Sequence, residues 1–433
     1  MYLTPLFYGN TGRRYTTAPN DNGSSTADVS SLWWPPPVFT AFVLLALLFF
    51  PTSASVASAA GNATISSTIS VTGDPAEITH TDLTPIDVAN GHGLHAVSTT
   101  THSTITTGPG TTISVSGNQA AAIYATSSTG SSTITSQSTI TANGNGNPSK
   151  GIYANVTNAL AGSAIRVSHI GGRIAISGNT TSTNNAAAIF AQMVGAHTQG
   201  VSITVRDADI LANDNYTHGV YVPVTLSSGN ITIGVTNTDM TLRGNNSDGI
   251  HVRTLQDASS SDVTITTHGG TISVTNTGNH SFSQTNYGIV VDHQAESMSG
   301  ATRVINEGTA ITTATEVAGY GENSRAIGIV YAKASSSGAA AVENSGTLVT
   351  YTDGSQGIMI RNEGTGDNSI QNTGDITTHG ARAHGLSMHG GGGTGEMRNS
   401  GAVRASGKDA SGMLVSTKTG AVTCPIRLYH PQC

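Results

Sequence analysis

The fifteen histidines are the residues of this chain best equipped for chemistry. His218, His251 and His293 fall on or beside successive aliphatic anchors of a repeat described below, while His92 with His95, and His384 with His389, are close in sequence. If those anchors stack, His251 points outward beside its neighbours, where imidazole nitrogens could hold zinc or copper. Exposed histidine on an uncharged strand is the plainer reading, so neither a metal nor a cofactor is expected. Serine chemistry has little support. In Gly385-Leu386-Ser387-Met388-His389 no strained elbow pattern surrounds the serine, and a loop serine beside a loop histidine accounts for it. The run Gly390 to Gly393 lacks the aspartate of calcium-binding nonapeptide repeats and reads as a flexible loop. Two cysteines in 433 residues exclude a disulfide scaffold and a four-ligand CxxC zinc site. No catalytic residue is expected.

Composition limits the elements that must carry these side chains. Only 10% of residues are charged, aromatics make up 5%, and glycine fills 52 positions. Soluble domains usually carry about 25% charge. With so few Leu, Lys and Glu the chain is neither a helical bundle nor a coiled coil. A formal charge of -7 and a pI near 6.1 leave no basic footprint for nucleic acid. A Gly/Ser/Thr/Asn-rich aliphatic chain is either disordered or a long all-β repeat.

Periodicity decides for the repeat. Gly or Ala followed by an aliphatic residue recurs as Gly151-Ile152, Gly219-Val220, Gly249-Ile250, Gly288-Ile289, Gly328-Ile329 and Gly357-Ile358, with weaker copies at Leu94, Ile123, Ile189, Leu386 and Met413. These eleven anchors lie 27 to 40 residues apart. A second beat precedes ten of them, at Ile113, Ile140, Ile174, Ile210, Met240, Ile272, Ile311, Leu348, Ile376 and Val403. A third comes six or seven residues earlier still, at Ile203, Ile265, Ile305, Val342, Ile370 and Met397. Each beat alternates apolar with Thr or Ser, the period-two pattern of a half-buried strand. Three short strands per turn predict a right-handed single-stranded parallel β-helix of about eleven coils, stacked at about 4.8 Å into a rod roughly 50 Å long.

Turns of the form Glu343-Asn344-Ser345-Gly346, Gln371-Asn372-Thr373-Gly374 and Arg398-Asn399-Ser400-Gly401 precede the second beat. Asn and Gly tolerate positive φ and suit a left-handed corner, and equivalent Asn side chains could stack as an amide ladder. Long intervals push Asp257 to Asp262, Asn279 to Tyr287 and Glu316 to Arg325 out of the coil as candidate binding loops, with Tyr216, Tyr221, Tyr287 and Tyr320 as aromatic anchors.

The start of the chain is different. Val38 to Phe50 form an apolar run broken only by Thr40, followed by Pro51 and small residues to Ala60. Thirteen residues span about 20 Å as a helix, short of the roughly 30 Å hydrocarbon core. With Ala57-Ser58-Ala59 as an A-x-A-like site, residues 1–59 read as an extended secretory signal cleaved between Ala59 and Ala60. A membrane anchor is the competing reading. Both tryptophans and five of seven phenylalanines lie in this leader, so the mature core must be built from Ile, Val, Leu and Ala.

Together the long leader, the Gly-Ile anchors and the Asn-Ser/Thr-Gly-x-Ile turns resemble the passenger region of bacterial type V secreted proteins, the autotransporters. The resemblance covers about residues 60–417. It implies a pertactin-like β-helix exported through the inner membrane to the cell surface or medium, adhesin-like and non-enzymatic, with a host surface protein or glycan as partner. It also implies a β-barrel translocator, in cis or in trans, that nothing after Met413 resembles. Residues 418–433 abandon the repeat composition and hold both cysteines, Cys424 and Cys433. A disulfide-closed tail is one reading, and a truncated or frameshifted, non-functional passenger explains the abrupt change better. Because β-helices also host polysaccharide-degrading enzymes, Gly91-His92-Gly93 and Asn237-Thr238-Asp239 need comment. They resemble two fragments of the polygalacturonase signature in the wrong order, without the paired carboxylates that glycoside hydrolysis requires.

Overall fold

The computed structural model describes residues 53–55, 64–118, 120–144, 148–178, 185–255, 259–277, 285–315 and 324–424. The expected cleavage position at Ala59 and Ala60, the apolar run before it, Tyr320 and Cys433 lie outside them, as do residues 257–258, 279–284 and 316–323 of the three candidate loops. Cys424 is exposed.

Every paired strand runs parallel to its equivalent in the next coil, and the described chain is a parallel β-helix solenoid. One sheet holds twelve anchor strands, from Ile69–Thr72 to Ser411–Thr417. The other two rows merge into a 22-stranded sheet, because Ile231–Arg243 and Val263–Asn276 pass from one row into the next without a break. Alternation puts aliphatic side chains inside, and parallel pairing stacks like on like. The anchor ladder runs Ile69, Leu94, Ile123, Ile152, Ile189, Val220, Ile250, Ile289, Ile327, Ile358, Leu386, Met413.

Three sequence assignments change. Ile69 adds a twelfth anchor, hidden because Thr68 replaces the usual small residue before it. Ile327, not Ile329, pairs with Ile289 and Ile358, so Ala326-Ile327 is the anchor pair and Gly328-Ile329 lies two residues beyond it. In the third beat Val304 aligns with Ile265 and Val342 and is fully buried, while Ile305 faces outward.

Glycine at the anchors answers a need for space. A Cβ on Gly249 would lie 2.5 Å from Ile272 Cγ2 and 2.4 Å from the Gly288 carbonyl oxygen. At Gly288 it would lie 2.2 Å from Ile311 Cγ2. The second-beat isoleucine of the same coil fills the volume a side chain would need.

The Asn turns hold a ladder without the left-handed corner expected of them. Asn306 Nδ2 donates to Asn344 Oδ1, Asn344 to Asn372 and Asn372 to Asn399, each at 2.7 Å. Each amide also donates to a nearby carbonyl, as Asn344 does to Gly346 O at 3.1 Å. Gly346, Gly374 and Gly401 lie outside the left-handed region. They are glycine because a Cβ would come within 2.0 to 2.2 Å of a carbonyl oxygen in the preceding coil. Asn344→Ala should cost about 2–4 kcal/mol, since it takes from Asn372 Oδ1 its amide donor and from Asn306 Nδ2 one of its acceptors inside a buried network. Urea unfolding monitored by circular dichroism checks this, and an unchanged midpoint would show that the ladder contributes nothing.

The core is aliphatic, with one departure from the expected Ile/Val/Leu/Ala set. Tyr331 is fully buried beside His293, and its hydroxyl donates toward Gly300 O at 2.8 Å or Thr302 Oγ1 at 3.0 Å. A phenol can enter the interior because these acceptors satisfy it.

Candidate functional site

The residue after each anchor points away from the core, and coil stacking turns that position into a column of rings. His95, Tyr124, Tyr153, Phe190, Tyr221 and His251 follow one another at centroid separations of 4.8, 4.8, 5.1, 5.3 and 5.1 Å. The spacing of parallel strands matches the separation aromatic pairs prefer, and each neighbouring pair adopts an edge-to-face geometry. His92 joins the column's first end, stacked on Tyr124 at 4.5 Å. Lys150 lies over Phe190 and Tyr153 at 5.0 and 5.3 Å, and burial pulls its ammonium down to about 8. Tyr124 and Tyr153 remain half-buried, whereas Phe190 and Tyr221 are buried.

Past His251 the column changes to Val290 and Gly328, and a groove of about 430 Å³ opens. Tyr216, Tyr221 and Tyr287 converge on it with Arg253, Arg325, Arg361 and Asp292. Gly328 makes room for the wall, because a Cβ there would come within 3.0 Å of the Tyr287 ring. Arg325 lies over the same ring at 5.2 Å and donates to the Tyr287 hydroxyl. Tyr216 adopts φ of +56°, a strained conformation for a bulky residue at the mouth of a groove. Three of the four tyrosines singled out in sequence are therefore gathered at one place.

One end of the groove holds a buried polar cluster. His218 and Asp248 are register partners on adjacent coils, and His251 follows three residues after Asp248. Asp248 Oδ2 lies 3.3 Å from His218 Nδ1 and 2.9 Å from His251 Nδ1, while Oδ1 accepts the Tyr287 N–H at 2.8 Å. Burial alone would raise the Asp248 carboxyl, but the contacts with His218 and His251 outweigh it and hold it well below the usual range. Burial lowers His218, although Asp248 opposes the shift. His218 is thus buried and His251 half-buried, which corrects their reading as exposed strand histidines. His293 stands apart in the core, facing Thr254 Oγ1 at 2.8 Å and Thr302 Oγ1 at 2.6 Å.

The chain matches no protein family, no curated protein and no solved structure.

Other sequence candidates are not brought together. Ser387 lies on the anchor sheet, and His389 faces Ser416 and Glu363 rather than the serine. His92 accepts the Ala121 N–H just before the anchor strand Leu94–Ser98, whereas Asn237 and Asp239 lie in the other sheet, where they contact Asp207 and Thr271. The ring column and Asp248 escaped sequence reading. The column had a signal: Tyr124, Tyr153, Phe190 and Tyr221 each directly follow an anchor.

Proposed function

We propose that this chain is the secreted passenger of an autotransporter-like protein, a rigid β-helix that binds a surface glycan or protein without catalysis. The observation that carries the reading is the groove in which Tyr216, Tyr221 and Tyr287 meet three arginines on a regular sheet. Tyrosine and arginine combine apolar faces with directional donors and dominate the energetics of recognition surfaces. The aliphatic ladders beneath hold that surface at little entropic cost on binding. Guanidinium groups beside flat rings favour an acidic sugar or a carboxylate-bearing protein surface. The leader and the Asn-Ser/Thr-Gly turns support export by the type V route, which places the rod at the cell surface or outside the cell.

Tyr287→Ala combined with Arg361→Ala should weaken binding to immobilised acidic glycans or whole cells at least tenfold, about 1.4 kcal/mol, with the β-helix still folded by circular dichroism. Equal binding by variant and parent would sink the reading. Steady release of oligosaccharides from a polysaccharide would instead favour the enzyme alternative. Export is tested separately by fusing a barrel translocator after residue 417 and asking whether added protease reaches the passenger on intact cells.

A further inference from the structure

We propose that His218, Asp248 and His251 form a binding site for a divalent transition-metal ion of the zinc class on the outer face of the anchor sheet. Two adjacent coils supply the three side chains, and strand pairing fixes their approach. Each offers one ligand atom, and the three atoms lie within 4.8 Å of one another. The separations of 3.3 and 2.9 Å from Asp248 Oδ2 to the two Nδ1 atoms are close to the roughly 3.3 Å between atoms sharing a tetrahedral zinc ion. The second carboxylate oxygen is held by the Tyr287 N–H, the kind of outer contact that orients a metal-ligating carboxylate.

Hydrogen bonding within the protein leaves atoms of this cluster unsatisfied. His218 is 3% exposed, and neither of its ring nitrogens makes a hydrogen bond among the described residues. Its Nδ1 lies near Asp248 Oδ2 but off the line of a hydrogen bond. His251 Nδ1 faces the same carboxylate oxygen at 2.9 Å. Buried polar atoms are normally satisfied, and idle ones call for an explanation. A cation beside Oδ2 would use the imidazole lone pairs and the carboxylate charge together. Two nitrogens and one oxygen suit zinc, copper or nickel, whereas calcium and magnesium prefer oxygen ligands. All three residues line the groove, so a fourth coordination position would open toward it.

The test uses the full mature chain, stripped of metal and titrated with zinc chloride by calorimetry and by competition with a chromophoric chelator. The expected result is one saturable site per chain, with affinity about 100-fold lower in Asp248→Asn and His251→Ala. His389→Ala, which alters a half-buried histidine on the same sheet, should bind as the parent does. Cobalt titration of the parent gives a readout independent of whether variants fold. Visible d–d bands without thiolate charge transfer support the site, whereas thiolate charge transfer would place the ion on a cysteine and overturn it. Absence of saturable zinc binding, or equal affinity in Asp248→Asn, His251→Ala and the parent, would also overturn it.

Discussion

Val304→Asp should destabilise the β-helix by roughly 3–5 kcal/mol, the cost of an uncompensated charge in an apolar interior. The same substitution one residue later, Ile305→Asp, should cost about 1 kcal/mol or less, because that side chain faces outward. Val304 is fully buried and stacks between Ile265 and Val342, so Asp at 304 would place a carboxylate in a ladder with no partner. Ile250→Asp should behave like Val304→Asp, since Ile250 is fully buried between Val220 and Ile289. Solenoid stability is a sum of coil and interface contributions, so the damage should appear first as local opening. Urea unfolding and limited proteolysis of the pair decide the matter. Comparable losses at 304 and 305 would mean that the strand register is wrong, because a one-residue slip exchanges the two faces.

Acid should destabilise the fold well above the pH at which most carboxylates titrate. Burial lowers His293 to about 3 and His169 to about 4, both below the ordinary 6.5. The unfolded chain therefore takes up protons first as pH falls. Stability is fully present above about pH 6.5 and is lost as pH drops toward those folded values. By pH 4 each fully buried imidazole should have removed on the order of 3 kcal/mol. Glu363 adds a later loss in the same direction, between about 4.5 and 2, because Lys418 and Arg361 hold its carboxyl down to about 2. The two histidines differ in kind. His293 is satisfied by two threonine hydroxyls, whereas neither ring nitrogen of His169 has a partner among the described residues. His169 occupies the corner column between Ser136 and Val205, with Val235 next beyond. His169→Val would extend that apolar stretch, raise stability at pH 7 and remove about 3 kcal/mol of the loss between pH 6.5 and 4. Unfolding at pH 7, 5.5 and 4 measures both effects, and a parent whose stability is flat over this range would refute the account.

The sequence by itself determined the solenoid. Inward aliphatic positions recur at coil intervals, and parallel stacking rewards such recurrence, so the three beats, most anchors and the Asn ladder are visible in one dimension. Its errors share a cause. Ala326-Ile327-Gly328-Ile329 offers two small-aliphatic pairs with both isoleucines facing inward, and Val304-Ile305 offers two adjacent apolar residues. Only hydrogen bonding to the neighbouring coils selects Ile327 and Val304. The role of glycine was likewise invisible, since what forbids a Cβ at residue 249 is an isoleucine of the same coil and a carbonyl of the next. The groove and the His218–Asp248–His251 cluster belong to the tertiary structure alone. Past His251 the outward position after each anchor loses the ring period, and residues some 30 positions apart become neighbours only when coils stack at about 4.8 Å. Core positions obey a repeat that can be read from the chain, whereas recognition depends on side chains that the repeat leaves free to vary.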